Sequence, residues 1–174
     1  RFGYVDPPAF TNWKRQQDLA EGADVADFKH RVMPFFYSEQ SSFTFERAWQ
    51  DTRLSLGLIK RTMDAHGIAL RLVYIPDPLE IDKTLWAKYE DRVREVLGDS
   101  VTMTPDRGEA RVSDLMDELG IQFISLLPLC REKGAQEMFS DHFSFMGNHW
   151  VADYLSDIIA NEPAELEMPF WIAR

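Results

Sequence analysis

From Ser42 onward the apolar positions fall into recognisable periods. Phe45, Trp49, Thr52, Leu56, Ile59 and Met63 recur at alternating spacings of four and three, which is one face of an amphipathic helix. Ser42 is placed to cap it, with Glu46 in the first turn, and Gly67 stops it. The run Ile68 to Ile75 is short, nearly all apolar and closed by Pro76, a pattern suited to a strand buried on both faces. A second helix is expected from about Ile81 to Leu97, with Leu85, Tyr89, Val93 and Val96 inward and Gly98 as the stop. A polar loop, Asp99 to Arg111, leads to a short helix over Val112 to Leu119, ended by Gly120. Ile121 to Leu127 reads as another buried strand, again closed by a proline, Pro128. After a loop through Lys133 and Gly134, a last helix spans Met146 to Ala160, its stripe formed by Met146, Val151, Tyr154, Leu155, Ile158 and Ile159.

This succession predicts an α/β fold with a mainly parallel sheet and helices on both faces. Only two strong strands are visible, so the sheet looks incomplete. Either weak strands hide before Ser42, or the chain holds part of a domain. The chain divides into an aromatic lead-in over 1–42, an α/β half-domain over 43–160 and a C-terminal strap over 161–174. The lead-in is rich in aromatic residues without a period, and its prolines leave room for one short helix around Asp24 to Val32. Glu167 to Ile172 reads as a terminal strand or an aromatic strap.

Composition narrows the partners. Nineteen basic residues against 29 acidic ones give a net charge of −10, which repels phosphate backbones and anionic headgroups. Nucleic acid is therefore not expected as a partner. No apolar run reaches the roughly 18 residues needed to span a bilayer. The single cysteine, Cys130, excludes an internal disulfide and a multi-cysteine metal knuckle, and reads as packing. Acidic runs such as Glu80 to Asp82 and Glu162 to Glu167 read as solvated surface. The chain starts at Arg1 without a signal-peptide pattern and reads as processed or truncated at its front.

In open parallel sheets functional residues gather beyond the carboxyl ends of the strands. Two such places are readable: Pro76-Asp77-Pro78, and the stretch from Pro128 to Met146. The second delivers His142 just before a helix, where an imidazole stays accessible while the helix holds its backbone, as a general base requires. The competing reading makes Asp141 and Ser144 helix caps and His142 a surface residue. His142 and His149 with Asp141 stand too far apart along a helix start to share one metal ion, and no metal or cofactor is expected. His30 and His66 read as surface or capping residues. Gly98-Asp99-Ser100 follows the end of an amphipathic helix and reads as a helix C-cap and turn rather than as a nucleophile elbow.

The block Asp141-His142-Phe143-Ser144, then Gly147-Asn148, Val151-Ala152 and Leu155, resembles the closing block of the SGNH/GDSL hydrolase family. The helix Trp49 to His66, the strand ending at Pro76 and the strand ending at Pro128 resemble the elements that precede that block. The likeness covers about residues 43–160. It implies a three-layer α/β/α, SGNH-hydrolase-like fold and an esterase or O-acyl transferase site in which His142 is the base and Asp141 its orienter. An ester-bearing small molecule or an acylated glycan would be the substrate, and the cell envelope or exterior the compartment. The family places its Asp two or three positions ahead of the His, where this chain has Ser140 and Phe139. Its Gly-Asp-Ser nucleophile motif near the domain start has no counterpart here. The alternative is a non-catalytic SGNH-like interaction subunit of a larger assembly, docking through its aromatic termini.

Overall fold

A computed structural model describes residues 33–140 and 142–161, with the side chain of Ser100 left aside. The helix expected over Asp24 to Val32, His30, Asp141 and all of the terminal strap after Asn161 lie outside the described residues.

The first described element is a 3-10 turn, Met33–Tyr37, followed by α1 (Phe43–Ala65), β1 (Arg71–Tyr74), α2 (Pro78–Ile81) and α3 (Lys83–Leu97). A second 3-10 turn, Gly98–Ser100, leads to α4 (Arg107–Leu119), β2 (Gln122–Ser125), α5 (Leu127–Lys133), α6 (Ala135–Met138) and α7 (Phe145–Ala160). The described chain is therefore mostly helical, built around one small sheet.

The two proline-closed apolar runs lie side by side. β1 pairs with β2 in parallel, in the register Arg71↔Gln122 to Tyr74↔Ser125. Each strand is four residues long, shorter than the apolar runs that contain them. The second run stops early because Leu127 already begins α5. Pro128 sits in its first turn, where a missing N–H costs nothing. The stretch expected as a loop after Pro128 is thus two short helices, α5 and α6.

Register partners in a parallel pair point to the same face, so Leu72 and Phe123 share one side and Val73 and Ile124 the other. The Leu72 side is covered: Leu115 and Met116 of α4 and Ile121 form a buried cluster, joined by Trp49 and Leu56 of α1. On the other side Ile124 is buried, but Val73 is partly open and Ile75, just beyond the strand, is 56% exposed. Among the described residues neither strand has a further neighbour.

Two more clusters complete the core. Tyr37, Tyr89, Val93 and Met103 pack with Phe36, Trp86 and Leu97. The inward side of α3 is therefore Trp86-Tyr89-Val93-Leu97. It is rotated from the expected face, and Leu85 is left outside because the Tyr37 ring docks against Trp86 and Tyr89. Leu126, Leu129, Cys130 and Met138 form the third cluster, onto which α7 lays Trp150, Val151, Tyr154 and Leu155. Met146 and Ile159, expected on that stripe, stay exposed. No helix among the described residues is long and apolar enough to cross a membrane.

Candidate functional site

The loop that opens α7 has a local structural logic. Ser144 is the N-cap: its Oγ accepts from the Gly147 N–H at 2.8 Å and donates to the Glu137 carbonyl at 2.6 Å. The Ser144 N–H reaches the Met138 carbonyl at 2.8 Å, binding α6 to α7. Gly147 lies where a Cβ would come within 2.3 Å of that same carbonyl oxygen, so only glycine allows this approach. Phe143 pairs with Phe139 in an isolated antiparallel bridge, their rings stacked at 4.8 Å. Asn148 turns its amide back toward the carbonyls of Phe143 and Ser144.

Ser144, Gly147 and Asn148, three of the residues that carry the resemblance, are thus occupied by capping and close packing. His142 is exposed, and its imidazole has no hydrogen bond or ion pair among the described residues. The Ser125 hydroxyl accepts from the Leu127 N–H and the Ser144 hydroxyl is engaged as above. The described residues therefore bring no serine hydroxyl to the ring. His149 is exposed on α7, 3.6 Å from Asp153. His66 closes α1, its Nδ1 at 2.8 Å from the Thr62 carbonyl. Among the described residues no group of three or more His, Cys, Asp or Glu is arranged to hold a metal ion. Gly98, at φ +67°, ends α3 and donates its N–H to the Arg94 carbonyl, with the triplet forming a 3-10 turn. Burial pushes the Cys130 thiol up to about 11, which keeps it protonated and inert.

The strand ends hold the most perturbed carboxyl among the described residues. Asp77 caps α2 by accepting from the Leu79 N–H, while Glu80 reaches back to accept from the Asp77 N–H at 2.8 Å, a reciprocal capping box. The Tyr74 hydroxyl donates to the other Glu80 oxygen at 2.6 Å. Glu80 is only 3% exposed, which corrects its reading as solvated surface. Burial drives its carboxyl up to about 7, aided by the charges of Asp77 and Glu109. The hydrogen bonds from Tyr74 and the Asp77 amide oppose the shift without cancelling it. Burial also holds the Tyr74 and Tyr37 hydroxyls far above their usual range.

Gly108 of α4 seals this group. A Cβ there would come within 2.7 Å of the Phe36 ring, 2.9 Å of Tyr37 and 3.1 Å of Glu80 Oε1. The Glu80 carbonyl in turn accepts from Arg131 of α5, whose guanidinium also pairs with Asp106. A cleft of about 440 Å³ opens here between the α2–α3 corner, Trp86, Pro105 and Arg131, and none of its lining residues belongs to the His142 loop. Of its polar groups Arg131 pairs with Asp106, Asp82 caps α3, and the Glu80 side chain is enclosed rather than presented. This network fastens β1, α2, α4 and α5 together. The pattern Asp77-Pro78-Leu79-Glu80 is a capping-box signature in the sequence, and it was the signal that Glu80 is not free surface.

Among the described residues Phe145, at the start of α7, is the most exposed large apolar side chain at 88%, and a further exposed set lies on α1. Phe43 is 82% exposed, Leu54 63% and Leu58 58%, all on the side turned away from Phe45, Trp49 and Leu56.

No protein-family model, curated protein or solved structure matches this chain.

Proposed function

We propose that this chain is a non-catalytic docking module that contributes an α/β unit to a larger protein assembly. The observation that carries this reading is the outer face of α1. Isolated exposed leucines are ordinary on any surface. Here Phe43, Leu54 and Leu58 align on one helical stripe opposite the packed one, the arrangement of a face made to meet another protein. The partly open Val73 side of the parallel pair agrees with it, since parallel sheets are normally covered on both faces. The finer architecture proposed with it is a three-layer α/β/α sandwich similar to the SGNH hydrolases, of which this parallel pair is one part.

The esterase reading keeps one supporting observation: the His142 ring is exposed ahead of α7, where a substrate could reach it. Docking is preferred because the ring has no hydroxyl to activate among the described residues.

A photo-crosslinking residue at position 58, in cells that make the protein, tests the proposal. A discrete protein adduct is expected at 58 and none at Lys88, an exposed position on α3. Adducts of equal yield at both positions, or none at 58, would refute docking through α1. Hydrolysis of a short activated ester that disappears in His142→Ala would restore the esterase.

A further inference from the structure

Resting on that docking reading, we infer that the occupant of the α1 face is an acidic amphipathic helix of a partner protein. The chain carries −10 overall, yet the stripe Phe43, Arg47, Leu54, Leu58, Arg61 and Ala65 contains no acidic residue and two basic ones. At 100° per residue these six positions fall within one narrow sector of the helix.

The two arginines differ from the others. Among the described residues Arg53, Arg92, Arg94, Arg107 and Arg131 pair with carboxylates. Arg71 donates to Gln122 and Arg111 to the Ser38 carbonyl. Arg47 and Arg61 have no hydrogen bond or ion pair among the described residues. Asp51, the nearest acidic position on the helix, borders the stripe and pairs with neither. Two unengaged guanidiniums flanking exposed leucines, on a molecule with surplus negative charge, match a partner helix with an apolar stripe edged by carboxylates. A second copy of this face would set arginine against arginine, which disfavours a symmetric pair. From Phe43 to Leu58 the stripe extends about 22 Å, the length of roughly four helical turns. Beyond about 8 Å physiological salt screens the molecule's general repulsion of an acidic partner, so the local pairs decide.

The test is a fluorescence titration of the full chain with two synthetic helices of about 16 residues. One carries a leucine stripe flanked by glutamates; its twin has lysine at every glutamate position. The glutamate helix should bind at least tenfold more tightly than the lysine twin. Arg47→Glu with Arg61→Glu should reverse that order, and Leu54→Glu with Leu58→Glu should remove both, with helical circular dichroism unchanged throughout. Equal binding of the twins, or a preference for lysine, overturns the acidic partner while leaving docking to the crosslinking result. So does binding of neither. Sedimentation as a dimer that Leu54→Glu with Leu58→Glu dissociates would make a second copy the occupant. If the peptide binds only after Glu162, Glu165 and Glu167 are replaced by glutamine, the chain's own tail is the occupant. Either outcome defeats the proposal.

Discussion

Glu80 shows how much a single side chain can decide. Its carboxyl titrates near 7 in the fold and at an ordinary value, about 4.5, in the unfolded chain. Between those values the folded state holds the proton more firmly, so the contribution of Glu80 to stability is full below pH 4.5 and is lost as pH rises through about 7. At about 1.4 kcal/mol per pKa unit, the loss is at most roughly 3 to 4 kcal/mol. Urea unfolding at pH 5 and pH 8 should show the native chain losing more stability over that interval than Glu80→Gln. Parallel profiles would show that the carboxyl does not titrate in this window. At this scale the sequence was half legible. The buried thiol of Cys130 and the turn at Gly98 follow from local context. The burial of Glu80 depends on Tyr74, six residues earlier, and on Gly108, which only the folded chain brings beside it.

At the scale of elements, the helices were more legible than the strands. The cap at Ser42 and the run of α1 follow from a clean period of four and three, and Ser42 Oγ does accept from the Phe45 N–H. The inward face of α3 was misjudged because Leu85 and Trp86 are adjacent, and the choice between them is made by Tyr37 from another part of the chain. The strand ends were overrun for a similar reason: an apolar run cannot reveal that Leu127 starts a helix with Pro128 in its first turn. The α6–α7 junction permits a direct test. Gly147→Ala drives a methyl group into the Met138 carbonyl and should cost about 3 kcal/mol, whereas Ser144→Ala removes one cap and should cost about 1 kcal/mol. Chemical denaturation reads both. Equal, small losses would mean that the glycine is not required by packing.

Across the whole molecule, the parallel pairing of two distant runs was readable, because each is apolar, short and closed by proline. What the exposed apolar surface meets, on the proposed reading, is not legible, because complementarity to a partner leaves no periodic trace in one chain. The arrangement around His142 illustrates the same limit. Ser144, Gly147 and Asn148 match a hydrolase pattern in sequence, yet capping and close packing account for them here. The fold is fastened by Glu80 at the strand ends and by Ser144 at the last helix, while α1 turns leucines and unengaged arginines outward. On the reading proposed above, that outer face meets another protein. Native mass spectrometry of the tagged chain recovered from its own cells tests this most directly. The native sequence should be found in a complex with a second, different protein chain, and Leu54→Glu with Leu58→Glu should be found as the free, folded chain. Recovery of both as the same species, free or bound, would contradict it.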